Sequence, residues 1–397
     1  MMRRLLTLTA LAAVLVAGTA TSAGAGRRAD LLQPRTQAHG ISRGQVFDNR
    51  MPDSSVYQGR VPFVWGAYPL DAQPPDVVPS RYLPAIRDNG PARPLSWYQA
   101  NHPDWIMYQA DRTSPVIQGG SSPIVTLDVA NPAVREFYFT TLVLPNIQAG
   151  YRWIALDNVV PWNWTAAAGH YDASGAWVQQ YSGLDDPAYA QVFLDWLCWL
   201  RNKLHKYDVG LAGNISPLGV NAFQRDKSAK AVRIVDLWLH EGGFTRARDS
   251  NILDGEWAQT FALYRSVVPA KPVVSVGMTT GALATASQSQ IDWIIANYLL
   301  VREPATMLAL VGRFDYGYFV DRPELDLDLG APTAAPAQHA GGLWYRDYQR
   351  GRTVVNPSST ATSTLPLPAG TWTDSHGAAH TGQVTLAPNS GLILTRS

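Results

Sequence analysis

The sequence predicts a (β/α)₈ barrel followed by a small antiparallel β-sandwich. From residue 61 to about 335, short apolar runs alternate with helical patterns, and after residue 336 only short strands separated by Gly, Pro, Asn and Ser remain. A doubly wound open sheet would give a similar alternation. The count of eight apolar runs, and the polar residues at their ends, favour the closed barrel.

The first 25 residues have the pattern of a signal peptide. Arg3 and Arg4 precede the apolar stretch Leu5–Val16, and Ala23-Gly24-Ala25 offers a cleavage site. We therefore expect a secreted protein, extracellular or in the cell envelope of a bacterium, without membrane insertion after cleavage. Residues 26–60 show no clear period, which predicts a linker or an N-terminal strap lying on the domain.

Residues 61–335 contain the predicted barrel strands. Each is almost continuously apolar, as expected of a parallel strand that is buried on both faces. The second strand has two candidate positions. The predicted strands are Val61–Tyr68, Leu95–Gln99 or Trp105–Gln109, Ile124–Val129, Trp153–Val160, Val209–Ile215, Ile234–Glu241, Pro272–Met278 and Thr306–Val311.

Helical patterns lie between these runs. Asn131-Pro132 is a cap followed by a first-turn proline and opens a helix that extends through Ile147. Asp186-Pro187 opens another helix, which extends to about His205. Residues 254–267 and 286–302 are the remaining clear helices.

Residues 336–397 are predicted to form the small antiparallel β-sandwich. The predicted strands there are Leu343–Tyr348, Thr353–Asn356, Ser363–Leu367, Thr371–Thr373, Gln383–Leu386 and Leu392–Thr395. No helical pattern remains in this region.

Composition narrows the possible functions. A net charge of +1 gives no reason to expect nucleic acid as a partner. The single cysteine, Cys198, can form neither an internal disulfide nor a zinc site alone, and its apolar surroundings predict a core residue. No phosphate-binding, dinucleotide-binding, zinc-protease or serine-hydrolase motif is present, so we expect no cofactor and no metal. The 14 Trp and 17 Tyr fit a carbohydrate partner, since sugar rings stack on aromatic planes.

Two carboxylates follow predicted strands at the end where barrel enzymes place their active sites. Asp157 ends the run Trp153–Leu156, and Glu241 ends the run Ile234–His240 and is followed by Gly242-Gly243. Asp157 could instead cap the next helix or pair with Arg313, and Glu241 could pair with a barrel arginine. A pair of carboxylates suits glycoside hydrolysis, in which one donates a proton and the other attacks carbon or activates water. The sequence leaves open whether their spacing is retaining or inverting.

Further residues at strand ends are candidates for substrate binding. Asp128 could hold sugar hydroxyls, orient the Asp157 loop or cap a helix. Arg313 could bind substrate or pair with Asp315, and Trp65, Trp162 and Trp164 could be either stacking platforms or core residues. The predicted substrate-binding residues are Trp65, Asp128, Asn158, Trp162, Asn214, His240 and Arg313.

Three stretches resemble the glycosyl hydrolase-like barrels, in particular hypothetical glycosyl hydrolase-like family 15. They are His102-Pro103-Asp104-Trp105 with Thr126–Pro132, Ala155-Leu156-Asp157-Asn158, and the tail from Gly341 to Leu394. The resemblance implies a glycoside hydrolase whose barrel is followed by a C-terminal β-domain.

A more remote resemblance is to the barrel clan that includes α-galactosidases. There the nucleophile ends strand four and the acid/base ends strand six, which implies Asp157 as nucleophile, Glu241 as acid/base and an α-linked, retaining reaction. The chain departs from that pattern in having Glu at strand six and Ala155 two residues before the nucleophile, where Lys is usual. The alternative function is a non-catalytic carbohydrate-binding protein on a barrel scaffold.

Overall fold

A computed structural model describes residues 31–50, 53–88, 90–116, 125–172, 174–246 and 250–396. The predicted signal peptide at 1–25 lies outside the described residues. None of the described helices combines the length and apolar character needed to cross a membrane.

The described residues before 160 include eight short strands. They are β1 (Gly44–Val46), β2 (Phe63–Trp65), β3 (Val78–Pro79), β4 (Arg81–Pro84), β5 (Arg87–Asp88), β6 (Tyr108–Gln109), β7 (Val125–Thr126) and β8 (Trp153–Asp157). The helices of this part are α1 (Leu95–Asn101), α2 (Pro132–Phe137) and α3 (Leu144–Gln148), with a π-helical turn Tyr138–Val143 between the last two. Asn131 caps α2 as predicted, because its side chain accepts a hydrogen bond from the Ala133 N–H.

The middle of the chain alternates strands with longer helices. The strands are β9 (Ala168–Tyr171), β10 (Trp177–Tyr181), β11 (Gly210–Asn214), β12 (Leu237–Gly242), β13 (Thr245–Arg246), β14 (Ser250–Asn251), β15 (Val273–Met278) and β16 (Thr306–Val311). The helices are α4 (Pro187–His205), α5 (Ala222–Ile234), α6 (Asp254–Val267) and α7 (Gln288–Val301). The predicted helices at 186–205, 254–267 and 286–302 are thereby confirmed.

A parallel sheet in the order β16-β15-β12-β11-β8-β4 and a second parallel sheet in the order β1-β2-β3 form the centre of the fold. The two sheets are connected at both edges, by the chain itself at one edge and by a hydrogen-bonded bridge at the other. Only Ser80 separates β3 from β4, and Arg43, just before β1, forms a parallel bridge with Leu308 of β16. The resulting fold is α/β with parallel strands, and helices pack on its outer side.

Two predicted strands are wrong. Leu95–Gln99 lies in helix α1, and the alternative, Trp105–Gln109, contributes only β6, which pairs with β9 in a separate antiparallel sheet. The predicted strand Ile124–Val129 contributes only β7, which pairs antiparallel with β5 and is not part of the parallel sheets. Its first residue, at position 124, lies outside the described residues. Runs this short do not distinguish helix from strand, and they do not tell with which sheet a strand pairs.

Two parallel strands lie where none was predicted. β1 falls within the predicted linker or strap at 26–60, so that prediction is wrong for Gly44–Val46. The strand formed by β3 and β4 was missed because Pro79, Arg81 and Pro84 interrupt its apolar character. Cys198 was also misassigned, because its side chain is exposed on α4 rather than buried in the core.

The C-terminal region is an antiparallel β-structure. Its strands are β17 (Ala337–Gln338), β18 (Trp344–Tyr348), β19 (Gly351–Asn356), β20 (Ser363–Pro366), β21 (Trp372–Asp374), β22 (Ala379–His380), β23 (Gln383–Leu386) and β24 (Ser390–Arg396). One sheet has the order β17-β18-β19-β24-β21-β22, and β20 pairs with β23 in a second sheet. A separate apolar cluster, which includes Leu343, Val354 and Trp372, lies in this region.

Helix α7 is buried over most of its surface. Every residue from Ile291 to Val301 is buried, because the parallel sheet covers one side and the C-terminal sheet covers the other. The approach is close: a Cβ added at Gly391 would lie 2.8 Å from the Asp292 carbonyl oxygen. The Thr353 hydroxyl also donates to the Ala296 carbonyl.

Candidate active site

Three neighbouring strands place polar side chains at the same end of the parallel sheet. Asp157 ends β8, Asn214 ends β11, and Glu241 is the penultimate residue of β12. The strands are adjacent in the order β8-β11-β12 and run parallel, so their carboxyl ends meet.

The Asn214 amide connects the two carboxylates. Its Nδ2 donates to Oδ1 of Asp157 at 2.9 Å and to Oε2 of Glu241 at 2.8 Å. One NH₂ group carries two hydrogens, so it can serve both acceptors at once. Asn214 therefore fixes the two carboxylates relative to each other.

Two tyrosine hydroxyls donate to the carboxylate oxygens that Asn214 does not reach. The Tyr82 hydroxyl donates to Oδ2 of Asp157 at 2.7 Å, and the Tyr316 hydroxyl donates to Oε1 of Glu241. Burial, followed by the charge of Asp157, raises the pKa of the Tyr82 phenol. Burial and the charge of Glu241 likewise raise the pKa of Tyr316. Both phenols consequently keep their protons and act as neutral donors.

These groups line a cavity of about 110 Å³ whose walls are mostly aromatic and aliphatic. The Phe47 ring meets the rings of Tyr82 and Tyr316 edge-on, with centroids 5.3 and 5.9 Å apart. Trp65 is 2% exposed and forms part of the wall. The lining residues are Val46, Phe47, Trp65, Tyr82, Asp157, Asn214, Leu239, Glu241, Val276 and Tyr316.

The backbone turns sharply just after each carboxylate. Asn158 adopts the left-handed conformation, with φ of 54°, and its side-chain Nδ2 donates to Oδ2 of Asp157 at 2.8 Å. Asparagine tolerates this conformation better than most residues do. Gly242 and Gly243 have φ of 97° and 56°, and a Cβ on Gly243 would lie 2.7 Å from the Ser275 hydroxyl. The two glycines therefore allow the turn that follows Glu241.

The buried guanidinium of Arg87 interacts electrostatically with Asp157. Arg87 is 3% exposed, and burial lowers the pKa of its guanidinium while the negative charge of Asp157 raises it. No salt bridge to Glu241 occurs within the described residues.

The prediction that His240 binds substrate is wrong. Successive residues of a strand point to opposite faces, so when Glu241 faces the cavity, His240 faces the helices. His240 is 1% exposed and lies 3.1 Å from the Tyr264 hydroxyl of α6. Burial lowers the pKa of this imidazole to about 3, so it is a neutral core residue.

Asp128 lies in a different cavity, which is formed by loops that follow β4 and β8. It is 2% exposed, and its Oδ2 is 3.1 Å from His170 Nδ1. The same side chain accepts a hydrogen bond from the Ala130 N–H. Asp104 and Gln180 also line this cavity of about 380 Å³. Asp128 therefore does not contact the Asp157–Glu241 pair.

Two other predicted substrate-binding residues, Trp162 and Arg313, are not part of the Asp157–Glu241 cavity, and neither is Trp164, the other candidate for a stacking platform. Trp162 is half-buried and Trp164 is exposed, both in the loop after β8. Arg313 is exposed in the loop after β16, and Asp315 pairs with Arg50 rather than with Arg313. From that loop it is Tyr316 that reaches the site.

Three residues of the cavity wall were missed. Phe47 follows the unpredicted strand β1, Tyr82 lies on the unpredicted strand β4, and Tyr316 is five residues beyond β16. Recognising Arg81–Pro84 as a strand would have pointed to Tyr82. Nothing local in the sequence indicates that Phe47 or Tyr316 turns toward the carboxylates.

Among the described residues, no group of three or more His, Cys, Asp or Glu side chains is arranged to hold a metal ion. The chemistry available at the site is that of two carboxylates with neutral hydrogen-bond donors around them.

Comparison with family models gives one match. The model of hypothetical glycosyl hydrolase family 15 matches residues 77–352, which include both carboxylates and confirm the resemblance seen in the sequence. A comparison with curated proteins found no match.

The structure is remotely similar to several solved structures. A maltogenic α-amylase from Thermotoga neapolitana is 11% identical with a TM-score of 0.43, over 81% of this chain and 78% of that one. An α-amylase from Geobacillus thermoleovorans, complexed with acarbose, is 13% identical with a TM-score of 0.42, over 81% and 78% of the two chains. A GH36 α-galactosidase from Geobacillus stearothermophilus is 10% identical with a TM-score of 0.38, over 81% and 45%.

Proposed function

The chain belongs to hypothetical glycosyl hydrolase family 15, and on that premise we propose that it is a secreted, retaining glycoside hydrolase acting on α-linked sugars of an oligo- or polysaccharide. The observation that carries the proposal is the bridge from one Asn214 amide to both Asp157 and Glu241. It holds two carboxylates in one cavity at a spacing that suits this chemistry.

The spacing favours a retaining mechanism. Both bridged oxygens lie within 2.9 Å of the same nitrogen. They are therefore under about 6 Å apart, nearer to the separation in retaining enzymes (about 5–5.5 Å) than to that in inverting ones (about 6.5–9.5 Å). The same carboxylates can hold sugar hydroxyls in a non-catalytic binding protein, and the activity screen described below distinguishes the two functions.

The hydrogen bonds favour Asp157 as the nucleophile. Its carboxylate accepts from three neutral donors, Tyr82, Asn158 and Asn214. Hydrogen bonds to a carboxylate stabilise its charged form, which is the form that attacks. An oxygen of Asp157 forms a bond to the anomeric carbon while the bond from that carbon to the leaving oxygen breaks.

Glu241 is then the acid/base. It gives its proton to the leaving oxygen in the first step. In the second step it takes a proton from a water molecule, whose oxygen attacks the anomeric carbon and releases Asp157. Its donors, Asn214 and Tyr316, orient the carboxyl group without a formal charge. The reaction requires no metal and no cofactor.

The strand positions support the same assignment. Counting β3 and β4 as one, the proposed closed (β/α)₈ barrel has eight parallel strands, joined through the pairings of β1 with β2 and of Arg43 with Leu308. Asp157 then ends the fourth strand and Glu241 the sixth. The α-linkage rests on the resemblance to the clan with that arrangement, and secretion rests on the signal-peptide pattern of residues 1–25.

A screen with anomeric analysis tests the proposal. The purified protein is assayed on nitrophenyl α- and β-glycosides of common hexoses and on purified bacterial and fungal polysaccharides. Proton NMR then records the anomer of the first product. We expect hydrolysis of an α-glycoside with release of the α-anomer first. Initial release of the β-anomer from that substrate would contradict the retaining assignment, and inactivity on the whole panel would favour the binding protein.

A further inference from the structure

A buried arginine follows the strand that lies beside Asp157. Pro84, the last residue of β4, pairs with Asp157, and the Ala85 N–H donates to the Asp157 carbonyl at 2.9 Å. Arg87 begins β5 only two residues later and is 3% exposed. The backbone of Asp157 therefore holds the segment from which the Arg87 side chain extends.

The residue between these two points has a strained backbone. Ile86 is fully buried and has φ of 45°, in the left-handed region. A β-branched side chain rarely adopts this conformation, because it is sterically unfavourable. Strained residues of this kind cluster at functional sites, where the surrounding structure holds them in place. The turn between β4 and β5 thus points to a functional requirement on where Arg87 lies.

The groups around Arg87 place its charge beside one carboxylate of the catalytic pair. Burial lowers the pKa of the guanidinium, and the charge of Asp157 opposes this effect more than any other group does. Tyr82 and Tyr138 interact with Arg87 more weakly, and both phenols are neutral because burial raises their pKa. Glu241 does not contribute.

The carboxylate next to Arg87 in the sequence has a different cation. Asp88 Oδ2 accepts from Arg93 Nε at 2.5 Å and from the Tyr98 hydroxyl at 2.7 Å. Successive side chains of a strand point to opposite faces, so Asp88 and Arg87 extend in different directions. Asp157 is therefore the carboxylate for which Arg87 serves as counter-ion.

Two carboxylates as close as Asp157 and Glu241 compete for one proton. An oxygen of each lies within 2.9 Å of the Asn214 nitrogen, so the charge of one disfavours ionisation of the other. The Tyr316 phenol, which both carboxylates affect, is neutral because burial raises its pKa. Surroundings decide which carboxylate of such a pair keeps the proton. Here the buried cation, Arg87, acts on Asp157.

We propose that Arg87 is a positioning residue that holds Asp157 in its charged form and thereby leaves the shared proton on Glu241. A charged Asp157 can attack the anomeric carbon, and a protonated Glu241 can donate to the leaving oxygen, so one cation assigns both roles. Arg87 does not line the cavity and acts through Asp157 rather than on the substrate. The inference rests on the proposed function and adds to it the group that sets the distribution of protons.

Titration of the free protein tests the proposal without requiring turnover. In protein isotope-labelled at the aspartate carboxyl carbons, NMR follows the Asp157 resonance with pH, and the loss of that resonance in Asp157→Asn assigns it. Arg87→Met removes the charge, whereas Arg87→Lys keeps it. Arg81→Met is the matched control, because Arg81 lies on β4 and interacts with Tyr68 and Tyr151 rather than with Asp157.

We expect Asp157 to titrate about one pH unit higher in Arg87→Met than in the wild type, because a nearby opposite charge favours the ionised form. Arg87→Lys and Arg81→Met should titrate close to the wild type. On the substrate found by the screen, the acid limb of the kcat/KM profile should move to higher pH by a similar amount in Arg87→Met alone.

A comparison of stabilities decides the question if Arg87→Met does not fold. Asp157→Asn leaves the charge of Arg87 buried without its counter-ion, whereas Glu241→Gln only removes the repulsion between the two carboxylates. Asp157→Asn should therefore have a lower Tm than Glu241→Gln, which thermal unfolding measures.

Three results overturn the inference. They are an Asp157 titration that is the same in the wild type and in Arg87→Met, an Arg87→Lys variant that behaves like Arg87→Met, and an Asp157→Asn variant at least as stable as Glu241→Gln. The expected titration shift in a protein that hydrolyses none of the glycosides would contradict the proposed function but not the effect of Arg87. Hydrolysis with an unshifted titration would retain the function and remove Arg87 from it.

Discussion

One carboxylate lies just before strand β12 and another lies near its end, and the two are held in different ways. At its start, Asp236 accepts from Arg201 at 2.7 Å, from His205 at 2.8 Å and from the Leu211 N–H at 3.0 Å. Near its other end, Glu241 accepts only from the neutral groups of Asn214 and Tyr316 among the described residues. The first carboxylate connects β12 to helix α4, whereas the second faces a cavity.

The difference separates a structural carboxylate from a reactive one. A buried carboxylate that is paired with an arginine and a histidine, and that lines no part of the cavity, is not positioned to meet a substrate, and Asp236 is of this kind. One held by neutral donors beside a cavity keeps its ability to exchange a proton or attack carbon. The following variants test this distinction, beginning with the largest expected effect.

Asp157→Ala should lower kcat by roughly 10⁴-fold or more on every substrate, because no covalent intermediate can form. Steady-state kinetics on the substrate found by the screen measures this. Added azide should restore some turnover and give the product of inverted configuration. Azide rescue with retained configuration would instead make Asp157 the acid/base.

Glu241→Ala should lower kcat by about 10²- to 10⁴-fold on substrates with poor leaving groups, because the proton donor is lost. The loss should be smaller for nitrophenyl glycosides, whose leaving group is already a stable anion. Azide should rescue this variant with retained configuration, and NMR of the glycosyl azide provides the check. A loss that does not depend on the leaving group would contradict the assignment.

Asn214→Ala removes a donor from both carboxylates and should lower kcat by roughly 10- to 100-fold, the value of one or two hydrogen bonds to charged groups. Since Asn214 positions the carboxylates, KM for a nitrophenyl glycoside should change less than kcat. Asn221→Ala is a control, because Asn221 caps α5 and lies outside the cavity. Equal losses in the two variants would point to a general effect on folding.

Asp236→Asn should leave kcat unchanged while reducing the free energy of unfolding by about 1–3 kcal/mol, because Arg201 and His205 lose their charged partner. Urea unfolding monitored by tryptophan fluorescence measures the change. A fall in kcat at a temperature where the variant is fully folded would show that the start of β12 also contributes to catalysis.

Asp48 lies outside the cavity and provides a test of pH dependence, with an effect on stability and none on kcat. It is 4% exposed and has neutral donors, and burial raises its pKa to about 6. The folded state thus holds this proton more tightly than the unfolded chain does. Its contribution to stability is present below about pH 4 and is lost as the pH rises through about 6. Asp48→Asn should flatten the stability profile between pH 4 and 6, and an unchanged profile would argue against the raised pKa.

The sequence predicted those strands whose apolar runs are long, and it missed the short or interrupted ones. β8, β11, β12, β15 and β16 were expected close to where they lie. β1 has three residues, and the strand formed by β3 and β4 contains two prolines and an arginine, so neither has a strong local pattern. Only pairing with distant strands defines them, and pairing is not encoded locally.

The site could be predicted only in part for a related reason. Asp157, Asn214 and Glu241 follow apolar runs, so their position at one end of the sheet followed from the strand direction. Alternation along a strand would also have shown that His240 points away from Glu241. The contacts of Tyr82 and Tyr316 with the carboxylates depend on tertiary packing, which the sequence does not show.

The position of helix α7 makes the C-terminal sheet indispensable to the rest of the chain. Loss of residues 336–396 would expose the side of α7 that now faces β19 and β24, including the close contact at Gly391. An apolar surface of that kind promotes aggregation. The two regions should therefore melt in a single calorimetric transition, and a chain shortened at residue 335 should accumulate in the insoluble fraction.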